Sequence, residues 1–580
     1  MSQDLESEQR VSAALPPVAP SVTAELVAAL SPRLRKRLDA GTAKLADRPA
    51  VRDGDTVRIA VDDSTDVELH APGGTVTSAE AIRCGCLLAP DCLHRAAAAS
   101  AAPIAEPIAA ADSGAVETGS QEAVDTTEPE RATPQQCAAA RAVHAAATAV
   151  LEAGTDGSGA VLQAELLRAA HTARLAGLPR AAATAVSVVT ALRAARSADP
   201  AYRLADLVTA LRDALSAAHR IPHAEGPELT ELRGTVRQPY RPDGSLRLYG
   251  LFSEPVLTAS GYAGAVTWTA DAEGRLFQVS DVAPGGAGRA TGAADRAVRV
   301  GDTALTHREL SRAGLAVSGG TVSPTGRLGA GAGVRAVRAS GADWREEPLD
   351  RLWAVPVADQ VSRALSGGHD LLFLEVTLTG TVREAAGDCL LADCGGVPLR
   401  LTAAHDHPAL PHRDNLRLLA AARGSRLRVV ARLVPAPHPR AQLLATEHPT
   451  LPGTRVDAGL DRLLHADLPA SPAPPAATPT PDEAPVHLLR RRVHQAASGG
   501  RLVLSFPGNT AADVRRLSRH GLATAGDLVD ELHAAAAERS RDVFGRLLPA
   551  DTDRFARAWL AAARYTDEVD RALCAAAWGA

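Results

Sequence analysis

The sequence predicts a multidomain α+β protein, and three observations carry that prediction. Four residues of metal-ligand type, Cys84, Cys86, Cys92 and His94, fall within eleven positions near the N-terminus. Apolar residues recur at helical intervals over 135–222 and again from 485 onward. Between those stretches, from 230 to 450, the pattern switches to the twofold alternation of strands. The expected layout is a small metal-bound N-terminal module, an α-helical bundle, a β-rich region with room for a small barrel, and C-terminal helices. At 580 residues the chain exceeds the roughly 250–300 that one core accommodates, which also argues for several domains.

Composition places the chain among folded proteins, with 46% hydrophobic and 22% charged residues. Aromatics make up only 3% and the sole Met is the initiator, so the cores must be built from Ala, Leu and Val. Basic charge is almost all Arg; Lys36 and Lys44 are the only lysines. The abundance of Ala, Arg, Gly and Pro suggests a GC-rich bacterial genome such as an actinomycete's. Seven cysteines, three of them in the cluster, do not form a disulfide framework. The acidic start, Met-Ser-Gln-Asp-Leu-Glu-Ser-Glu, lacks the basic and apolar regions of a signal peptide. No run of about 18 apolar residues is present, so no membrane span is expected and the reducing cytoplasm is the expected compartment.

The cluster has the spacing C-x-C-x5-C-x-H. Thiolate sulfur and imidazole nitrogen are the ligands tetrahedral zinc prefers, and a closed Cys3His set leaves no position for a reacting water. One structural Zn2+ is therefore expected on Cys84, Cys86, Cys92 and His94, with a partner for the free ring nitrogen of His94. Strands at Thr56–Val61 and Asp66–His70 precede the cluster, with turns at Asp62–Thr65 and Pro72–Gly74. An Ala-rich helix follows from Leu93. This pattern of short strands, C-x-C, C-x-H and a helix resembles the SWIM zinc finger found in bacterial proteins, with an actinobacterial source expected from the composition, although the middle spacer is shorter than the family's. The resemblance covers the module over 20–102 and implies binding of a protein or nucleic-acid partner. It also suggests an AAA-type ATPase or a von Willebrand A-domain protein as that partner.

The remaining elements follow in order. A leading helix is expected over Ala24–Leu45, carrying the basic run Arg33–Arg37. Residues 103–134, rich in Ala, Thr, Glu, Ser and Pro, read as an acidic linker. Helices at Ala138–Glu152, Val161–Ala176, Arg180–Ala195 and Tyr202–His219 form a bundle over 135–222. A β-rich domain over 230–365 holds strands at Thr235–Arg237, Leu246–Phe252, Gly264–Thr269 and Leu276–Ser280, with hairpin turns at Pro242–Gly244 and Asp271–Gly274. Its aromatics, Tyr249, Phe252, Tyr262, Trp268 and Phe277, serve either core packing or base stacking, and core packing is the simpler reading. Over 368–450, strands at Leu371–Val382, Cys389–Asp393, Val397–Thr402, Arg426–Val434 and Gln442–Ala445 allow a small barrel of the oligonucleotide-binding type. Cys389, Cys394, His405, His407 and His412 match no zinc pattern; buried thiols and exposed histidines explain them. A Pro-rich linker is expected over 451–484 and a helical region over 485–578, with caps at Thr524 and Asp551. The helices flanking Gly521 have the outline of a helix-turn-helix, which Ala-rich bundles also produce.

Catalytic motifs are absent from the sequence. It has no phosphate loop, no G-x-S-x-G elbow and no H-E-x-x-H pair. Gly331–Ala336 fits a loose dinucleotide fingerprint, but no strand leads into it. The function expected is a zinc-binding, non-enzymatic interaction protein whose finger docks a partner while the other domains act as scaffold. The alternative is a DNA-binding regulator or recombination factor. Charge sets DNA second: residues 1–105 hold 11 Lys and Arg against 14 Asp and Glu, and the whole chain carries −5. Because a small module buries little core, loss of metal is expected to unfold it and leave the later domains standing.

Overall fold

A computed structural model describes residues 14–62, 64–105, 129–235, 239–258, 262–301, 303–331, 333–384, 387–470, 484–506, 508–538, 540, 542–546, 548 and 550–580. The fold is α+β throughout, with three sheets and helices before, between and after them. It divides into two compact units, one from 14–105, 129–235 and 485–566, the other from 239–484 and 567–580.

In the first unit, the leading segment is three helices: α1 (Pro20–Ala29), α2 (Pro32–Arg35) and α3 (Leu38–Ala46). The single helix expected over Ala24–Leu45 is broken because Pro32 has no N–H to donate and pushes Ser31 into an extended conformation. Four antiparallel strands follow in sequential order: β1 (Ala50–Asp53), β2 (Thr56–Asp62), β3 (Thr65–His70) and β4 (Ile82–Cys84). Their alternation buries Val57, Ile59, Val67, Leu69 and Ile82 on one face. Against that face pack Val22, Leu26 and Val27 of α1 and Ala96–Ala99 of α4 (Leu93–Ala101). Asp63, in the expected turn, lies outside the described residues.

Of the expected linker 103–134, residues 106–128 lie outside the described residues. Its two ends are built into the unit: Val18 N donates to Pro103 O at 2.8 Å, and Thr133 caps the next helix through a capping box with Gln136. That helix is α5 (Pro134–Gly157), followed by α6 (Ala160–Leu175), α7 (Pro179–Arg196), α8 (Leu204–Arg220) and α9 (Gly226–Arg233). The bundle therefore runs past residue 222. It also does not stand apart from the C-terminal helices. Leu488, Leu489, Val493, Val529, Leu532, Phe555 and Trp559 share one core with Val143, Leu151, Leu167, Val189, Leu211 and Leu215. Helix His487–Leu504 crosses α5 at two glycines, each kinking its own helix at positive φ: Gly154 (φ +69°) and Gly500 (φ +71°). A Cβ on Gly154 would lie 2.4 Å from Gly500 N, so only glycine permits this crossing. The helices flanking Gly521 are Thr510–Arg519 and Ala523–Ala537. Thr524 lies inside the second and does not cap it, whereas Asp551 accepts from Arg554 N at 2.9 Å.

In the second unit, one sheet has the order β7-β6-β5-β8-β9, from β5 (Arg241–Leu257), β6 (Tyr262–Ala270), β7 (Leu276–Pro284), β8 (Gly314–Val322) and β9 (Arg335–Ala339). The Asp271–Gly274 turn joins β6 to β7. Pro242–Gly244 is not a hairpin turn: Gly244, at φ +67°, is absorbed as an irregularity inside β5. Val236 and Arg237 of the first expected strand lie outside the described residues. Phe252, Trp268 and Phe277 are buried, as core packing requires.

The second sheet comprises β10 (Leu371–Glu384), β11 (Gly387–Cys394), β12 (Val397–Ala403), β13 (Arg426–Leu433), β14 (Arg440–Glu447) and β15 (Arg455–Asp457). A parallel pairing of β12 with β14 bends the first five into a nearly closed barrel, with helix His412–Leu419 between β12 and β13. The expected linker at 451–484 begins later than the sequence suggests. β15 pairs with β14, and buried Asp457 accepts from Ser311 Oγ at 3.2 Å and Arg312 Nη1 at 3.3 Å. Residues 471–483 of that stretch lie outside the described residues. Cys574 and Trp578 join the barrel core.

Candidate metal centre

Three local features bring the four ligands together. β4 ends at Cys84, whose backbone is opposite Val67 in the ladder. The chain then turns, with Gly85 N donating to Asp66 O at 3.3 Å and Ala89 N to Cys86 O at 3.1 Å. Cys92 is the extended residue just before α4, and His94 lies in that helix's first turn. The Sγ atoms of Cys84, Cys86 and Cys92 and a ring nitrogen of His94 all lie within 4.8 Å of one another. Cys84 Sγ stands 3.6 Å from His94 Nδ1. Four ligands around tetrahedral zinc, with Zn–S about 2.3 Å, are separated by roughly 3.5–3.8 Å. The donor set and its spacing thus fit one structural metal, with Nδ1 as the imidazole donor. Among the described residues this is the only such cluster.

The thiols differ in their surroundings. Burial pushes Cys84 up to about 12 and raises Cys92 as well. Burial opposes ionisation of Cys86 too, but the backbone N–H groups of Leu88 and Ala89 and the neighbouring thiols hold it below the ordinary thiol value. Three sulfurs of differing acidity packed together, two of them costly to ionise, are what a bound cation would compensate.

Sequence reasoning missed the residue that braces the site. Arg95, buried beside His94, donates through Nε to Ile82 O at 2.5 Å and through its two Nη atoms to Pro90 O and Ala79 O. One guanidinium thereby ties the strand ending in Cys84 to the segment leading into Cys92. The available signal was an arginine in the first turn of an Ala-rich helix. The acceptor expected for His94 is not found: among the described residues, its ring makes hydrogen-bond-range contact only with Cys84 Sγ.

The other candidate residues stay apart. Cys389 Sγ accepts from Arg440 Nη1 at 3.7 Å, while Cys394 is buried in the barrel core, where burial pushes it up to about 11. The histidines expected to be exposed are not. His405 and His407 are half-buried, and His412 is buried, its value pushed down to about 4 by loss of solvent. The structure does assemble one Ser–Thr–His set that no local motif announced. Ser253 Oγ and Thr267 Oγ1 are 2.7 Å apart, and Thr267 Oγ1 is 2.7 Å from His307 Nδ1. All three are wholly buried, so the set joins β5 and β6 to the His307 turn inside the core.

No protein-family model matches the chain, and no curated protein or solved structure is similar to it. No helix among the described residues is long and apolar enough to cross a membrane.

Proposed function

We propose that Cys84, Cys86, Cys92 and His94 hold one structural Zn2+ in a SWIM-type finger, and that this finger docks a protein partner without catalysing a reaction. The metal would supply a fixed crosslink between β4 and α4; four protein donors complete its coordination. The observation that carries the docking reading is the loop between the second and third ligands. Leu87 there is fully exposed and Leu88 is 62% exposed. Scattered exposed leucines are ordinary, but two adjacent ones on a loop anchored at both ends by metal ligands form a preorganised apolar tip. The resemblance to SWIM proteins points to an AAA-type ATPase or a von Willebrand A-domain protein as the partner.

Metal analysis of the purified chain, followed by co-purification with those candidate partners, tests this. One zinc per chain is expected, together with a complex that the Leu87→Asp/Leu88→Asp variant loses while keeping its zinc. A metal-free chain, or a complex indifferent to both leucines, would refute the reading.

A further inference from the structure

A cavity of about 350 Å³ opens beside the metal centre, and its lining is unlike the rest of this acidic module. Its rim carries Lys36, Arg37, Lys44 and Arg48, four of the eleven cations in residues 1–105 and both of the chain's lysines. Its floor is aliphatic, formed by Leu45, Val61, Leu93 and Ala97, and the ring of His94 borders it. Arg37 immediately precedes α3, Lys44 lies two turns along the same face, and Arg48 follows the helix. Between them Gly41 lets α3 approach α4: a Cβ there would lie 3.3 Å from Leu93 Cγ. Among the described residues, Lys36, Arg37 and Lys44 have no carboxylate within ion-pair distance. Asp39, the acidic residue nearest in sequence to Lys36 and Arg37, is engaged elsewhere, accepting from Ala160 N at 2.8 Å and pairing with Arg196 at 3.3 Å.

We infer that this cavity receives an acidic linear segment of the docked partner, an aliphatic side chain on the floor and flanking carboxylates on the cationic rim. The inference rests on the docking reading and names the chemistry of the partner. Charge complementarity selects an anion, and the floor selects its kind. Single-stranded nucleic acid is held by aromatic side chains on which bases stack, and among the described residues no Phe, Tyr or Trp lines this cavity. An aliphatic floor ringed by cations suits Leu, Ile or Val between Asp and Glu. Contact with His94 also makes the cavity's shape depend on the metal-bound position of that ring.

The test uses the full zinc-loaded chain and a fluorescein-labelled peptide with Glu-Glu-Leu-Glu-Glu at its centre, read by fluorescence anisotropy. Salt-sensitive binding is expected, weakened about tenfold or more in Lys36→Glu/Lys44→Glu, with zinc content and helical circular dichroism unchanged. Arg33→Glu, an exposed charge outside the cavity, should bind as the wild type does. Absence of binding, equal binding of the Gln-for-Glu peptide, or an oligothymidine that binds more tightly than the peptide would each overturn the inference. A chain without zinc fails the metal reading; a zinc-loaded chain that ignores the peptide fails this inference alone.

Discussion

Replacing Arg95 with Ala should loosen the metal centre without touching a ligand. The wild-type guanidinium is buried and satisfies three backbone carbonyls, those of Ile82, Pro90 and Ala79. A hydrogen bond from a charged donor is worth a net 1.5–3 kcal/mol or so, giving roughly 4–9 kcal/mol for three before water enters the vacated space. Partial rescue by water brings the expected cost near the lower bound, about 4 kcal/mol. The affected carbonyls belong to the segments that carry Cys84 and Cys92, so zinc affinity should also fall, by roughly 10–100-fold. Arg95→Lys keeps the charge but cannot reach three carbonyls at once, and should fall between the two. Competition against a chromophoric chelator measures the affinity, and thermal circular dichroism the stability. An Arg95→Ala chain that binds zinc within about twofold of wild type and melts unchanged would show that the guanidinium braces nothing.

Three further outcomes are expected. Gly154→Ala or Gly500→Ala should destabilise the first unit by about 3 kcal/mol or more, because a Cβ on either meets the other helix's backbone and both sit at positive φ; a denaturant midpoint unmoved by either would contradict the crossing. Acid should destabilise the second unit. His307 and His412 are buried and held neutral, each pushed down to about 4 by burial, with Asp281 opposing at His307, and with His405 and Arg432 reinforcing and Asp406 opposing at His412. The unfolded chain takes up these protons near pH 6.5 and the folded chain only near 4, so stability is full above about 6.5 and is lost as pH falls toward 4. At pH 5 the loss is about 2 kcal/mol per histidine. A His307→Gln chain should show a flatter pH dependence of melting; an unchanged slope counts against the assignment. Finally, chelation should expose amides over 82–102 to hydrogen exchange and extend into the start of α6, whose Ala160 and Ala164 share the module's core and whose first turn is capped by Asp39. Exchange confined to the ligand loop would show the module to be independent of α6.

The metal centre was legible because it is local. Cys84 to His94 are eleven residues, so the chain itself keeps the four side chains close, and their types are those that can hold a structural metal. The barrel strands were legible for a similar reason: alternation in Leu371–Glu384 or Arg426–Leu433 reports a half-buried strand wherever it pairs. Pro32 was a readable break, passed over because apolar periodicity continues across it. Periodicity reports that a face is apolar, not what covers it. Hence the sharing of one core by helices 134–233 and 485–566 was invisible, as was the pairing of Arg455–Asp457 with β14 in a stretch that looks like linker.

Side chains whose meaning depends on distant backbone were equally hidden. Arg95 is one more arginine until the carbonyls of Ala79, Ile82 and Pro90 converge on it, and Lys36 and Lys44 are solvated charges until Gly41 draws α3 against α4. Short-range chemistry, the ligands and the strand pattern, is written in residue order because neighbouring residues cannot separate. Which buried faces meet, and which charges end up around one cavity, is settled only when the cost of closing long loops is offset by apolar burial, and that balance belongs to the folded whole.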